Sequence, residues 1–391
     1  MLPPKTLHFT NFYHAKSGGI GAFYRALLRY ANDHGRLMRL VVPGEQSGSE
    51  QIGSCGRIYY VKAPRAPAFD RRYRLILPFG STAAEVIRIL RAEQADVLEV
   101  SDKYTLPYFS GMLRKNWVRG VNRPTEIATC HERLDDNVAT HVSPSTVARW
   151  LSHLYIRRVY FPMFDLHIAN SEYTAAELFS ASRGHSARRP IMVCPMGIDA
   201  GFFTAEPRSV YSGKSLLYSG RLSAEKNTAL LIEMLALLPK EYSLVLAGEG
   251  PQRGWLLAQA ERRVPGRVTV HGHLASREDY AQLLRNVDAF IHPNPREPFG
   301  MTPLEAMAAG LPLVAPRSGG VLSYANDDNA WLSCATAKAF AVAVQSLFSD
   351  DHERLRRIQN ARITAAQHDW SSIAGRYFDL LDSFHYERQA Q

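Results

Sequence analysis

Short apolar runs alternate with amphipathic stretches of helix length in the first half of the chain. The predicted strands are LHFTNF (7–12), RLVVPG (39–44), DVLEVS (96–101), TEIATC (125–130), DLHIANS (165–171) and IMVCPMG (191–197). Residues 20–35 and 81–95 have helical periodicity, and Ser81 is the predicted N-cap of the second helix. Strands that alternate with helices favour a parallel sheet covered on both faces.

The same alternation starts again after about residue 205. Its predicted strands are SLLYSG (215–220), SLVLAGEG (243–250), RVTVHG (267–272), DAFIHP (288–293), LPLVAP (311–316) and NAWLSC (329–334). Its predicted helices are 227–238, 251–264 beginning at Pro251, and 276–286 with Ser276 as its cap. We therefore predict two doubly wound α/β domains, 1–205 and 206–369, joined near residues 206–209. Such sheets bind ligands at the carboxyl ends of their strands, so we expect the active site in the cleft between the domains.

The composition is that of a globular protein in a reducing compartment. The chain has 391 residues, of which 46% are hydrophobic and 21% charged. No apolar run reaches the roughly 18 residues of a membrane span, and the first residues lack the apolar core of a signal peptide. The isolated residues Cys55, Cys130, Cys194 and Cys334 predict buried, reduced thiols. A cytoplasmic location is therefore expected.

A basic charge narrows the classes of partner. The formal net charge is +9, with local clusters at 71–74 and at Arg188-Arg189. This charge suits phosphorylated ligands or an anionic membrane, and no zinc-finger or RNA-binding pattern supports a nucleic-acid partner. Residues 143–161 are helix-prone and include Trp150, Tyr155, Arg157 and Arg158. That segment is either a core helix or a peripheral contact with the inner membrane face.

Two glutamates flank a predicted helix start in REPFGMTPLEAMAAGLPLVA (296–315). Thr302-Pro303 begins the helix and Gly310 ends it. The free N–H groups of a helix start suit phosphate or sugar oxygens. Glu305 could accept hydrogen bonds from a vicinal diol, and Glu297 could contact sugar hydroxyls. Alternatively, both acids only cap and solvate the helix.

Two cations lie in SGRLSAEKN (219–227), between a strand and a helix. Arg221 and Lys226 could hold a diphosphate and stabilise charge on a departing phosphate. The alternative is a solvated surface pair. No D-x-D tripeptide occurs, so the sequence requires no metal.

Three further segments offer weaker candidates. In SGGIGAF (17–23), Gly18 and Gly19 form either a floor under a phosphate or a plain tight turn. His131 follows a predicted strand in ATCHERLDDN (128–137), where it either contacts a sugar or is a satisfied structural histidine. Finally, Asp102, Lys103 and Tyr104 of EVSDKY (99–104) either line an acceptor pocket or form an ordinary polar loop.

The run 296–315, with its Glu-x7-Glu spacing, resembles the signature of the family 4 glycosyltransferases, which are retaining enzymes of the GT-B fold. SGRLSAEKN resembles the diphosphate loop of that family, and LVLAGEGP (244–251) resembles its next strand and turn. SGGIGAF resembles its N-terminal glycine loop, although Ala22-Phe23 replaces an acidic residue that is common there. Asn294 also departs from the family, which commonly has a serine at this position.

The resemblance implies a role for each site residue. Arg221 and Lys226 would bind the diphosphate, Glu305 the ribose, and Glu297 the donor sugar near the reacting centre. The amides of Phe299, Gly300 and Met301 would face sugar and phosphate, while Gly19 would lie against the diphosphate and His131 against the sugar. Residues 370–384 resemble the final helix of the family, which packs back on the first domain, so a C-terminal helix in 370–391 would complete the domain 1–205.

The implied reaction is retaining transfer of a hexosyl group from a nucleoside-diphosphate sugar to a glycan or a lipid-linked hydroxyl. It would need neither a metal nor another cofactor, and the departing diphosphate would take the acceptor proton. Two alternatives stay open: a sugar-nucleotide epimerase of the same fold, and a binder of sugar nucleotides without activity.

Overall fold

The structure, a computed structural model, forms two compact units. It describes residues 3–14, 18–66, 73–141, 145–182, 189–204, 214–272, 274 and 276–390. The first unit consists of Met1–Pro195 together with Ser371–Gln391, and the second of Met196–Trp370. The second unit thus begins at Met196 rather than at residue 206, and the predicted join at 206–209 lies outside the described residues.

In the described part of the first unit, eight strands form one sheet, in the order β3-β4-β2-β1-β5-β6-β7-β8. The strands are β1 (Thr6–Phe9), β2 (Met38–Gly44), β3 (Gly48–Ile52), β4 (Gly56–Lys62), β5 (Val97–Val100), β6 (Thr125–Cys130), β7 (Leu166–Ala169) and β8 (Ile191–Val193). The helices are α1 (Gly19–Asp33), α2 (Gly80–Glu93), α3 (Pro107–Arg114), α4 (Leu134–His141), α5 (Thr146–Tyr155) and α6 (Glu172–Ala181). Strands β1, β5, β6 and β7 are buried throughout, as expected for a parallel sheet covered on both faces, although each carries at least one polar residue.

The second unit has a parallel sheet in which six described strands have the order β11-β10-β9-β12-β13-β14. The strands are β9 (Ser215–Ser219), β10 (Ser243–Ala247), β11 (Val268–His271), β12 (Ala289–Ile291), β13 (Leu313–Pro316) and β14 (Trp331–Ser333). The helices are α7 (Ala200–Phe203), α8 (Ala229–Leu237), α9 (Arg253–Arg263), α10 (Arg277–Arg285), α11 (Met301–Ala308), α12 (Ala337–Ser349) and α13 (Asp351–Ala366). The prediction of two parallel-sheet α/β domains is confirmed.

One hairpin at the edge of the first sheet was not predicted. Strand β3 pairs antiparallel with β4, which in turn lies parallel to β2. Almost all of β3 is exposed, so its sequence GSEQI carries no apolar alternation. Hydrophobic periodicity cannot detect a strand that buries no face.

Two predicted helix starts are wrong and one is confirmed. Helix α2 begins at Gly80 rather than after Ser81, and the Thr82 hydroxyl donates to the carbonyls of Leu77 and Phe79. Helix α9 begins at Arg253 rather than Pro251, and the Gln252 amide just before it donates to the Leu222 carbonyl at 2.9 Å. By contrast, Ser276 caps α10 as predicted, in a reciprocal capping box with Asp279.

The last helix, α14 (Trp370–Gln389), belongs to the first unit over almost all of its length. Asp382 accepts two hydrogen bonds from Arg36, at 2.6 and 2.8 Å. The Tyr377 hydroxyl lies 2.8 Å from that of Thr129 on β6. Strands and α14 are thus joined by polar contacts as well as by apolar packing.

The cysteines only partly match the expectation of buried thiols. Cys130 and Cys194 are buried, whereas Cys55 is half-buried and Cys334 is exposed. In the described part of the chain, no helix combines the length and the apolar character that crossing a bilayer requires.

Candidate active site

Two loops meet at the carboxyl edge of the second sheet. The loop 220–228 follows β9, and the segment 292–300 follows β12, the neighbour of β9. The Asn227 side chain donates to the Pro293 carbonyl at 3.0 Å, and the Thr302 hydroxyl donates to the Ser219 carbonyl at 3.2 Å. The parallel pairing of β9 with β12 is what brings together residues about 70 positions apart in sequence.

The carboxylate of Glu297 is held by an ion pair that joins these loops. Lys226 Nζ lies 2.9 Å from Glu297 Oε1 and 2.8 Å from Oε2. Burial opposes ionisation, but the ammonium of Lys226 outweighs it and lowers the pKa of Glu297 to about 2. Glu297 is therefore a fixed negative charge at neutral pH. Because its carboxylate is paired with Lys226, the predicted sugar contact of Glu297 and the predicted phosphate contact of Lys226 involve adjacent side chains.

Asn294, the departure from the family pattern, is the second support of Glu297. Its Nδ2 donates to Glu297 Oε2 at 2.8 Å, and its Oδ1 accepts from the Arg296 amide at 3.0 Å. The second bond orients the side-chain amide so that its N–H groups face the carboxylate. The sequence could not predict that Asn294 contacts Glu297, since Asn is common before turns, where its side chain bonds to the nearby backbone.

The start of α11 depends on a glycine N-cap and on a hydrogen bond from a tyrosine. Gly300 is its N-cap, with φ at +90°, and the Tyr324 hydroxyl donates to the Gly300 carbonyl. The buried ring of Phe299 packs at 5.2 Å from that of Tyr324, so only the backbone of Phe299 is available to a ligand. The first turn of α11, from Met301, presents N–H groups and a partial positive charge.

Gly320 gives this turn a support that sequence reasoning missed. Its amide donates to the Glu297 carbonyl at 2.6 Å. A Cβ at Gly320 would lie 1.9 Å from the Pro298 carbonyl oxygen. The Gly319-Gly320 pair after β13 is a turn signal in the sequence.

Glu305 lies on the same helix in a different electrostatic environment. Burial raises its pKa to about 7, with Arg277 opposing and Asp199 adding to the shift. Arg277 forms an ion pair with Asp199 at 2.6 Å. Glu305 is thus a carboxyl poised between its two protonation states near neutral pH, which a diol that donates hydrogen bonds would shift towards the charged form. Arg277 and Asp199 were not among the predicted residues.

Arg221 extends from a loop that packs closely against the turn after β10. Its side chain is 49% exposed and lies 4.0 Å from Glu225. A Cβ at Gly248 would lie 2.1 Å from the Gly220 carbonyl oxygen, and one at Gly250 would lie 2.2 Å from that of Leu222. The GEG turn therefore needs its glycines so that the backbone carrying Arg221 can approach.

Two predicted site residues belong to the first unit. His131 is buried, and neither ring nitrogen has a hydrogen-bond partner within the described residues. Burial lowers the pKa of His131 to about 4, so the ring is neutral at pH 7 and can donate one hydrogen bond. Gly19 is the first residue of α1. The neighbouring Gly18 has open space around a built Cβ, so close packing does not explain it, and Ser17 lies outside the described residues.

In the loop after β5, two of the three candidate residues, Asp102 and Lys103, form buried contacts within the protein. Lys103 Nζ donates to Glu177 at 2.7 Å and to the Glu132 carbonyl at 2.6 Å, and both side chains are buried. Asp102 is buried and accepts from the Tyr104 amide. Only Tyr104 remains partly exposed. The interpretation as an acceptor pocket is therefore wrong for Asp102 and Lys103, because their polar atoms are used inside the protein.

Most of the predicted site residues belong to the second unit. Seven of them lie in the second unit: Arg221, Lys226, Glu297, Phe299, Gly300, Met301 and Glu305. Within the described residues, no group of three or more acidic, histidine or cysteine side chains could hold a metal. Metal independence stays a prediction.

Two family models cover most of the chain. The model described as Glycosyl transferases group 1 matches residues 205–364, and that described as Glycosyltransferase Family 4 matches residues 17–202. The chain belongs to this family of glycosyltransferases. The first match contains the ion pair of Lys226 with Glu297, and the second contains His131 and Gly19.

The relatives and solved structures compared below match this glycosyltransferase over nearly its whole length. It is similar to the GDP-mannose-dependent alpha-(1-6)-phosphatidylinositol dimannoside mannosyltransferase of Mycobacterium tuberculosis, with 26% identity over 92% of this chain and 91% of the relative. Among solved structures it resembles sucrose-phosphate synthase from Thermosynechococcus elongatus, at TM-score 0.77 and 18% identity over 98% and 100% of the two chains. Anabaena Alr3699/HepE in complex with UDP matches at TM-score 0.73 and 19% identity over 97% and 100%. The fold is GT-B.

Proposed function

We propose that this glycosyltransferase moves a hexosyl group from a nucleoside-diphosphate sugar to a hydroxyl of a glycan or lipid-linked acceptor, with retention of configuration. The observation that carries the proposal is the Lys226–Glu297 ion pair beside the first turn of α11. It combines a cation for phosphate, a fixed anion for the sugar and free helix N–H groups in one place.

The donor half of the reaction follows from these charges. Arg221, Lys226 and the N-terminus of α11 would neutralise the diphosphate and the charge that develops as it leaves. Glu305 would accept hydrogen bonds from the two ribose hydroxyls. His131, whose ring nitrogens have no partner within the described residues, would donate to a sugar hydroxyl.

The acidity of Glu297 supports a retaining path without a protein base. A carboxylate with a pKa of about 2 is a poor proton acceptor at neutral pH. It instead stabilises positive charge on an oxocarbenium-like centre. The acceptor hydroxyl would attack from the face that the diphosphate leaves, and the diphosphate would take its proton.

The proposed reaction is metal-independent, since Arg221 and Lys226 would supply the positive charge that a metal would give to the diphosphate. Turnover should be unchanged after treatment with EDTA. Loss of activity on chelation, restored by a divalent cation, would overturn this part of the proposal.

The donor is tested first by thermal shift. Since one relative is named as GDP-mannose-dependent, GDP-mannose should be compared with UDP-glucose and ADP-glucose. We expect one nucleotide class to raise the melting temperature, and Lys226→Met to abolish the shift while Lys214→Met keeps it. Lys214 is a matched control because it is exposed in the same unit, paired with Glu241. No shift with any nucleotide sugar would contradict the proposal.

Product analysis separates the transferase from its alternatives. A transferase needs an acceptor to form a glycoside, and the anomeric configuration of that product tests retention. An epimerase would release a changed sugar or nucleotide without any acceptor. A binder without activity would bind the nucleotide and form no product.

A peripheral contact with the inner membrane face, in a cytoplasmic protein, completes the proposal. One relative is named for a phosphatidylinositol dimannoside, which is a lipid. In α5 the side chain of Trp150 is 60% exposed, whereas Tyr155 is half-buried and donates to the Lys103 carbonyl at 2.9 Å. The exposed part of α5 is thus available for contact, and the expectation of an aromatic core face holds for Tyr155 but not for Trp150.

A further inference from the structure

An apolar cavity opens in the first unit, and none of the predicted donor-site residues lines it. It has a volume of about 590 Å³ and lies between α3 and the turns Ile156–Tyr160 and Phe161–Met163 that follow α5. Its walls are mainly apolar, formed in part by Pro78, Met112, Val159 and Met163. A volume of this size is in the range of cavities that hold small organic ligands.

The mouth of the cavity is basic. Lys115 and Arg158 line it and are both exposed, and none of its lining residues is acidic. A third cation, Arg114, is neutralised by Glu126 at 2.8 Å and Asp165 at 2.6 Å. The two exposed cations therefore dominate the electrostatics of the rim.

Two large aromatic side chains beside the cavity point to the class of ligand. Trp117 lines the cavity and is 68% exposed, with Lys115 Nζ 4.7 Å from the centre of its ring. Phe79, next to the lining residue Pro78, is 65% exposed. Exposed aromatics beside Lys and Arg are typical of surfaces that lie in a membrane interface, where rings bury in the acyl boundary and cations meet phosphates.

We propose that this cavity takes an acyl chain of an anionic phospholipid and so docks the first unit on an anionic bilayer. The chain would fill the apolar interior, and the phosphate would pair with Lys115 and Arg158. A neutral apolar partner would leave these two cations without a counter-charge, and a soluble anion would leave the cavity unfilled. This contact rests on the membrane contact proposed above and assigns it to the cavity beside the turn that follows α5, rather than to α5 itself. It does not involve the donor residues.

Vesicle binding tests the charge. The full-length protein should co-sediment with vesicles of phosphatidylcholine and phosphatidylglycerol far more than with phosphatidylcholine alone. Lys115→Glu/Arg158→Glu should weaken partition at least about tenfold, since each cation near an anionic surface contributes on the order of 1 kcal/mol. The control Lys240→Glu/Arg263→Glu makes the same charge change at exposed positions of the second unit. Equal loss in both variants, or binding to neutral vesicles alone, would overturn the proposal.

Fluorescence quenching tests the position. Phosphatidylglycerol with brominated acyl chains should quench the tryptophan emission of the bound protein. Trp117→Phe should remove most of this quenching while vesicle binding persists, whereas Trp150→Phe and Trp255→Phe should retain it. If only Trp150→Phe removes the quenching, the membrane contact stands and the cavity is excluded. Absence of all vesicle binding would exclude both, and leave the donor assays of the proposed transferase unaffected.

Discussion

Each unit has a lysine–glutamate pair just beyond a strand of its sheet, and the two pairs behave differently. Lys103 follows β5 and lies 2.7 Å from Glu177, while Lys226 lies in the loop after β9, 2.8 Å from Glu297. The side chains of the first pair are 3% and 4% exposed, and those of the second are 28% and 13% exposed. Burial raises the pKa of Glu177 despite its lysine, whereas the pKa of Glu297 falls to about 2.

The difference lies in what surrounds each pair. The other carboxylate oxygen of Glu177 accepts a hydrogen bond from the Asp135 amide at 2.8 Å, and Lys103 also donates to the Glu132 carbonyl. The first pair thus holds the loop that follows β6 and has no free face. The second pair remains open beside a helix start. Residue types alone do not separate a structural pair from a functional one, whereas exposure and the use of the remaining polar atoms do.

The largest effect should come from breaking the sealed pair. Lys103→Met leaves the Glu177 carboxyl buried without its cation, which should cost about 3–5 kcal/mol of unfolding free energy. Urea denaturation of the first-unit transition measures the loss. Adding Glu177→Leu should recover part of it, because the uncompensated charge is then removed. A loss below about 1 kcal/mol would show that the pair contributes little.

Breaking the open pair should instead affect turnover. Lys226→Met removes charge that stabilises the leaving diphosphate, so kcat should fall about 100-fold to 1000-fold. The unfolding free energy should change by less than about 2 kcal/mol, since Asn294 still supports Glu297. Lys214→Met is the control and should keep full activity. A collapse of stability with unchanged turnover per folded molecule would reverse the distinction between the two pairs.

A finer test adds a second negative charge beside Glu297. Asn294→Asp replaces an N–H donor, 2.8 Å from the Glu297 carboxylate, by another acid. Like charges at this distance favour the protonated form, so the pKa of Glu297 should rise. The acid limb of the pH–rate profile should therefore move upward by about 1–3 pH units, so that the loss of rate is confined to acidic pH and recovers towards neutral pH. Asn294→Ser should lower the rate without this shift, and parallel profiles for all three proteins would refute the role of Asn294.

The smallest effect concerns the protonation of Glu305. With a pKa of about 7, the carboxyl is mostly protonated at pH 6 and mostly ionised at pH 8. If the charged form holds a ribose diol, affinity for the nucleoside diphosphate should fall by about tenfold between pH 8 and pH 6. Titration calorimetry should show a flat profile for Glu305→Gln, while Glu249→Gln, at an exposed position, should keep the slope. A slope that persists in Glu305→Gln would assign it to another group.

The sequence predicted those features that come from regular patterns. The central strands are apolar because they are buried on both faces, and the REPFG segment has recognisable spacing. The edge strand β3 was missed because its side chains are exposed. Ser81 failed as a cap because the helix already begins at Gly80, so Ser81 lies within its first turn. Contacts between segments distant in sequence could not be predicted. The pairing of Lys226 with Glu297 leaves no local signal, and the Gly319-Gly320 pair indicates a turn without indicating that the Gly320 amide donates to the Glu297 carbonyl.

The return of α14 to the first unit makes the second unit a covalent insertion. The chain crosses from one unit to the other near residues 195–196 and back near 370–371, so the described residues nearest both termini belong to the first unit. Tension applied between β1 and α14 would therefore be carried by the first unit, through contacts such as Arg36–Asp382. The second unit would bear that load only through its two crossings, after the first unit had begun to yield.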